Sequence, residues 1–334
     1  MRTAPGDRAY AVLDQRRRGT RFVSLPIASV LNSPAQTGME FWSVNPYVGC
    51  EFGCSYCYAR FAHQYVTERS EGRRADAAVP WSDDAFEREI FVKTGAAEVV
   101  ARTLRPARLG GRAVVIGTAT DPYQPAERQF RITRGVLETL AQYRGLDIGI
   151  ITKSPLVTRD IDLLRRLSER SRVIVNVSLI STDAALVRTL EPRTPMPRVR
   201  LRALEQLVRA GVHAGVIVAP VVPGVTDDVP HLAALLGAAK DAGAAFAYAA
   251  PLRLYAGVRR RFLPVVAQHY PALLARYERA FDGQGIVTPA YAAALSRRMN
   301  RLRRQLGLRG RDEDLQATCR TAWPSAVQEE LALA

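Results

Sequence analysis

The sequence predicts an α/β protein built on a parallel sheet. Short β-branched and apolar runs of strand length alternate with amphipathic stretches of helical length about six times between residues 41 and 249. Two of those helical stretches stop at a glycine, Gly211 and Gly243, as helix ends commonly do. With 334 residues, 48% of them hydrophobic, the chain is long enough to bury a full core.

Residues 1–40 lack sustained periodicity and contain Pro5, Pro26 and Pro34, so they read as an irregular leader packed on the body. The first strand, residues 41–47, leads into a cysteine-rich loop. Ala113-Val-Val-Ile-Gly-Thr118 is the second strand, followed by the turn Asp121-Pro-Tyr-Gln-Pro125 and a helix over residues 131–143. Asp147-Ile-Gly-Ile-Ile-Thr152 is the third, with a helix over 159–169 after it. Arg172-Val-Ile-Val-Asn-Val-Ser178 is the fourth, before a helix from Asp183 with Thr182 as its expected N-cap. A helix over 199–210, the fifth strand at 213–220, a helix over 230–242 and the sixth strand at 245–249 complete the series. From Ala256 the alternation gives way to helical, arginine-rich sequence. The expected organisation is therefore a leader (1–40), a core (41–255) and a C-terminal extension (256–334). Pattern alone leaves an open doubly wound sheet and a barrel both standing.

In parallel barrels chemistry gathers at the C-terminal strand ends, and polar residues recur there. Thr118, Thr120 and Asp121 follow the second strand; Thr152, Lys153 and Ser154 follow the third; Ser178 ends the fourth and Ala219-Pro220 the fifth.

The net charge of +15 favours acidic partners, nucleic acid first among them. Nearly all of it is arginine, since lysine occurs only at Lys93, Lys153 and Lys240, a skew that base composition of the genome also produces. The densest block is Arg297-Arg-Met-Asn-Arg-Leu-Arg-Arg304, extended by Arg309 and Arg311; it suits either a solvated helix face or a phosphate contact. Arg16-Arg-Arg18 is a weaker instance. No apolar run reaches the roughly 20 residues of a membrane span, and Met1-Arg-Thr-Ala-Pro-Gly-Asp7 has no apolar signal core. A cytoplasmic protein without membrane partners is expected.

Three of the four cysteines, Cys50, Cys54 and Cys57, lie in Gly49-Cys-Glu-Phe-Gly-Cys-Ser-Tyr-Cys-Tyr-Ala-Arg60. Sulfur coordination of zinc or of a [4Fe–4S] cubane normally uses four protein ligands. Three thiolates spaced C-x3-C-x2-C leave one cubane corner open to bind and activate something else. Zinc is the alternative, with His63 near enough in sequence to be a fourth ligand; His213, His231 and His269 are scattered. An odd cluster without a signal peptide argues against a disulfide. Cys319, between Thr318 and Arg320, reads as a lone thiol.

The cysteine spacing, with the run from Asn45-Pro-Tyr-Val-Gly-Cys50 to Cys57-Tyr-Ala-Arg60, resembles the radical S-adenosylmethionine (SAM) superfamily, in its branch related to spore photoproduct lyase. The resemblance spans roughly residues 40–255. It implies a partial (β/α)6 TIM-type barrel with the cluster in the loop after the first strand, flanked by the leader and the helical extension. It implies a [4Fe–4S] cluster on Cys50, Cys54 and Cys57, bound SAM, and a one-electron reductant such as flavodoxin or ferredoxin. Reductive cleavage of SAM would give a 5′-deoxyadenosyl radical that takes hydrogen from an unidentified substrate. By family position Tyr56 packs against SAM, Lys153 and Ser178 help hold it, and Ala219 offers backbone contact to the adenosine. Thr118 is a further contact by its place after the second strand, and Tyr58 suits either the pocket wall or the core. Glu191-Pro-Arg-Thr-Pro195 and Val222-Pro-Gly-Val-Thr-Asp227 are also shared, as a polar cluster or turn and as a turn opening a helix. The family's dimer-repair members carry a cysteine beside the second strand. Ile116-Gly-Thr-Ala-Thr120 has none, and Cys319 replaces it only if the C-terminal extension folds over the barrel mouth. A photoproduct-lyase-like repair enzyme and a non-catalytic iron–sulfur or zinc nucleic-acid-binding protein are the alternative functions.

Overall fold

The computed structural model describes residues 11–16, 19–63, 66, 84–281, 283–318 and 327–328. Its centre is a sheet of six parallel strands that lie beside one another in chain order: β1 (Trp42–Val44), β2 (Val114–Ile116), β3 (Asp147–Thr152), β4 (Arg172–Ser178), β5 (Ala214–Val221) and β6 (Ala247–Pro251). A seventh strand, Leu31–Asn32, runs antiparallel along the outer edge of β1. β1 and β6 do not pair, so the barrel is partial rather than closed.

Side-chain alternation explains why this sheet curls and what it encloses. Val114, Ile116, Ile148, Ile150, Val173, Val175 and Val216 face outward into one apolar core shared with the covering helices. Their alternates, including Val115, Gly149, Ile174, Asn176 and Ile217, face a lumen. The helices that complete the core are amphipathic in the expected way; Pro197–Arg209, for example, buries Ala203, Leu204 and Leu207.

A second sheet of four short strands lies beside β1. Arg21–Ser24 pairs antiparallel with Val12–Gln15 and parallel with Glu89–Val92, which pairs in turn with Tyr47–Val48. The leader is thus more regular than its prolines suggest. Phe22 and Val23 are both buried, and pairing with a strand some 70 residues later fixes them, a contact no local pattern reveals.

Two other expectations need correction. The N-cap of helix Ala184–Leu190 is Asp183, not Thr182: the Asp183 carboxylate accepts from the amides of Ala185 and Leu186 at 2.8 and 3.3 Å. The helix expected over 131–143 spans only Ile132–Leu140. Arg131 takes a left-handed conformation (φ 52°) that divides it from the turn Glu127–Phe130, and Tyr143–Arg144 is extended against Val327–Gln328.

The arginine-rich C-terminal region packs on both ends of the barrel. Helices Ala256–His269 and Leu274–Ala280 share an apolar cluster with the cysteine loop through Val258, Phe262 and Tyr277. Helix Pro289–Leu306 lies against helix Val229–Asp241 and β6, and buries Leu295, Met299 and Leu302 in the main core. Arg309 then extends beside β6, with its carbonyl 3.0 Å from the Ala247 amide. Arg297, Arg301 and Arg304 face solvent along that helix. Among the described residues no helix is long and apolar enough to cross a membrane.

Candidate active site

The loop from Gly49 to Arg60 is shaped mainly by backbone hydrogen bonds. Gly49 has φ 90°, and a Cβ there would lie 2.9 Å from the carbonyl oxygens of both Phe86 and Glu89, so only glycine fits. Its carbonyl accepts from Thr120 Oγ1 at 2.6 Å and Gln124 Nε2 at 3.1 Å, while Gln124 Oε1 accepts from the Glu51 amide at 2.9 Å. The Cys50 amide donates to Phe86 O at 2.9 Å, and the Ser55 amide to Leu190 O at 2.9 Å. Elements following β1, β2 and β4 therefore clamp one loop.

The three thiols are free; Cys50 and Cys54 are buried and Cys57 is half-buried. All three line one cavity at the C-terminal strand ends, with Tyr58, Thr118, Asp121, Lys153, Ser178 and Ala219. Six of the nine residues named from the sequence and its resemblance (three thiols aside) are Tyr56, Tyr58, Thr118, Lys153, Ser178 and Ala219, and only Tyr56 is not on the cavity wall. Its ring lies beneath Lys153, with Nζ 5.8 Å from the centroid, and its hydroxyl donates to Glu191.

Polar partners fix most of these groups. Lys153 Nζ donates to Ser178 Oγ at 3.1 Å and lies 3.9 Å from Glu191 Oε1. Ser178 Oγ donates to the Ala219 carbonyl at 3.4 Å. Thr118 Oγ1 accepts from Asn45 Nδ2 at 3.1 Å, and the Tyr58 hydroxyl donates to the Thr118 carbonyl. Asp121, buried, accepts from Thr152 Oγ1 and the Lys153 amide, both at 2.7 Å, and so fixes the turn after β3.

Beneath them sits an ion pair absent from the sequence-derived site. Arg200 donates to Glu191, to the Ser178 carbonyl at 3.0 Å and to the Pro195 carbonyl at 2.8 Å. Burial raises the Glu191 carboxyl, but Arg200 and Lys153 outweigh it and hold it below the usual carboxylate range. Burial opposes the Lys153 charge, yet Glu191, with help from Cys54 and Asp121, holds the ammonium above its ordinary value. Burial also pushes all three thiols up, with Asp121 adding to the effect at Cys50 and Lys153 opposing it at Cys54. Such thiols become thiolates when a metal displaces their protons.

The family model described as the radical SAM superfamily matches residues 44–236, more than half of the chain. The chain belongs to the radical SAM superfamily. An uncharacterized protein of Mycobacterium tuberculosis is 34% identical over 283 residues, covering 84% of this chain and 79% of its own length. An uncharacterized protein of Methanocaldococcus jannaschii is 26% identical over 184 residues, 55% of this chain and 61% of its own. Among solved structures, a spore photoproduct lyase variant with bound AdoMet and dinucleoside spore photoproduct superposes with a TM-score of 0.59 at 16% identity, covering 85% of this chain and 79% of that one. That likeness shows a shared fold.

Membership makes this radical SAM protein an enzyme whose cofactors are a [4Fe–4S] cluster and SAM. The donor set fits them: three free thiols, two of them buried and one half-buried, face one cavity, and hydroxyls, a carbonyl and an ammonium surround them. The cavity measures about 180 Å³, below the usual range of small-molecule pockets, about 300–1,000 Å³. Zinc fits less well. Among the described residues no group of three His, Cys, Asp or Glu side chains is arranged to hold a metal ion, whereas a cubane takes each thiolate at a separate iron. His63, the conceivable fourth zinc ligand, is buried, with Nε2 2.9 Å from the Glu89 carbonyl and its ring against Phe91.

Arg200 and Gln124 were missed from the sequence, along with the role of Asn45. Arg200 had a signal: it occupies the apolar stripe of its helix with Ala203, Leu204 and Leu207, where an unpaired guanidinium is not tolerated. Cys319 and Arg17–Arg18 lie outside the described residues.

Proposed function

We propose that this enzyme holds its [4Fe–4S] cluster on Cys50, Cys54 and Cys57 and cleaves SAM reductively to abstract hydrogen from a substrate. The observation that carries this reading is the convergence of the three thiols with Thr118, Lys153, Ser178 and Ala219 on one cavity. When bound and reduced, the cluster supplies the electron that breaks the sulfonium carbon–sulfur bond and releases the 5′-deoxyadenosyl radical. The chain's own residues bind and position. Lys153 and the hydroxyls of Ser178 and Thr118 offer donors to the carboxylate and ribose of SAM, and the Ala219 carbonyl offers an acceptor. Tyr56, fixed at its hydroxyl by Glu191, gives a flat wall beside them. The apolar cluster of Phe52, Phe86, Leu190 and Phe262 around the loop excludes water from the thiols.

A one-electron donor of the flavodoxin or ferredoxin kind is the expected reductant, and the cytoplasm the expected compartment. Repair of a DNA photoproduct is not favoured: the turn after β2 offers Thr118, Ala119 and Thr120 in place of a cysteine, and Asn45 and Gly49 hold all three.

The test is anaerobic reconstitution with iron and sulfide, then reduction with SAM and chromatography. Formation of 5′-deoxyadenosine is expected. A protein that binds zinc instead of iron, or a loaded cluster that never cleaves SAM, would overturn the reading.

A further inference from the structure

A second cavity, larger than the one at the cysteines, opens among the strands. It occupies the lower half of the barrel lumen, at the N-terminal strand ends, and measures about 370 Å³, within the range of small-molecule pockets. Its walls are mainly apolar, with Val115, Ile174, Ile217, Phe246 and Tyr248 prominent. Gly149 lines it without a side chain to fill it. The rings of Phe246 and Tyr248 stack with centroids 6.1 Å apart, 20° from parallel.

Few polar groups reach this space, and most carboxylates there are already paired. Asp147 accepts from Arg172 Nη1 at 2.7 Å. Asp314 is held by His213 at 2.9 Å and Arg309 at 3.5 Å. Glu40 stands exposed at the rim. The donors are less completely used. Arg172 Nε donates to Thr318 Oγ1 at 2.8 Å, but its Nη2 is buried without a hydrogen-bond partner among the described residues. Arg311, also at the rim, has no carboxylate partner among the described ion pairs. Tyr248 donates to Asn176 Oδ1 at 2.9 Å, which leaves its oxygen free to accept. Guanidiniums on the wall of a cavity that Phe246 and Tyr248 also line suit an acceptor carried on a flat apolar body.

We propose that the lower lumen binds a small aromatic carboxylic acid, with its carboxylate toward the Arg172 and Arg311 guanidiniums and its ring against Phe246 and Tyr248. Ile151 and Ile217 line both this cavity and the cysteine cavity, so the occupant lies against the floor of the reaction centre. The binding does not rest on the proposed radical chemistry.

The test is calorimetric titration of the full chain, cluster-free, with 2-naphthoate and with uncharged 2-naphthamide. One saturable naphthoate site is expected, with the amide at least tenfold weaker. Ile174→Phe fills the lumen and abolishes binding. Arg311→Gln, at an exposed position that leaves the fold intact, weakens it about tenfold, the effect of losing one charge-assisted hydrogen bond. Arg172→Lys keeps a cation for Asp147 but loses the planar fork, and weakens binding similarly. Absence of a saturable site, or a site that Ile174→Phe and Arg311→Gln leave within twofold of wild type, overturns the proposal. Because no cluster is present, failure here is distinct from failure to form 5′-deoxyadenosine.

Discussion

Arg200 and Glu191 form an ion pair in which neither side chain is exposed to solvent. Removing Arg200 leaves the buried Glu191 carboxylate with Lys153, 3.9 Å away, as its charged partner, and breaking a buried pair destabilises by about 3–5 kcal/mol. Arg200→Met should therefore lower the unfolding free energy of the cluster-free protein by that amount in denaturant titrations. The double variant Arg200→Met, Glu191→Met should be less destabilised than the single one, because no carboxylate is then left without its guanidinium.

Cluster loading should depend on three positions only. Cys50→Ala, Cys54→Ala and Cys57→Ala should each lose most bound iron after reconstitution, by iron and sulfide analysis. Cys319→Ala should retain it; iron loss there would make Cys319 a ligand.

Lys153→Met removes the ammonium at the cavity wall but no thiol. Iron content should be unchanged while SAM binds about 10- to 100-fold more weakly, as expected for a lost hydrogen bond from a charged donor. The shift that SAM produces in the electron paramagnetic resonance signal of the reduced cluster, titrated against SAM concentration, measures this directly.

Lys93 gives stability a pH dependence of its own. Burial lowers its pKa from the ordinary 10.5 to about 8. Below pH 8 the lysine is charged in both folded and unfolded chains, and its desolvation penalty is fully present. Between about 8 and 10.5 the unfolded chain holds the proton more tightly, so stability rises with pH by about 3 kcal/mol from this group. Lys93→Met should be more stable at neutral pH, and the difference between variant and wild type should shrink as pH rises through that window.

The parallel sheet was legible because each strand is a short apolar run and each crossover an amphipathic one. The structure places Lys153 and Ser178 on the wall of the cysteine cavity, where the family resemblance and their positions at strand ends put them. What escaped depended on partners distant in sequence. Arg21–Ser24 becomes a strand by pairing with Glu89–Val92. Gln124 matters through Gly49 and Glu51, more than 70 residues earlier. Thr182 and Asp183 are both competent caps, and a one-residue choice between them turns on which side chain reaches the free amides. Arg200 interrupts an apolar helix face, a signal that composition-level attention to arginine obscured.

The placement of the C-terminal helices sets an order of events during synthesis. Helices Ala256–His269 and Leu274–Ala280, which pack in the apolar cluster around Phe52 and Tyr56, emerge after all six strands. Each strand pairs with the one made before it, so the sheet can assemble as the ribosome delivers it. Until those helices are made, the cysteine loop lacks the apolar cover that Val258, Phe262 and Tyr277 give it. The last helices then complete the cluster of apolar side chains around the loop.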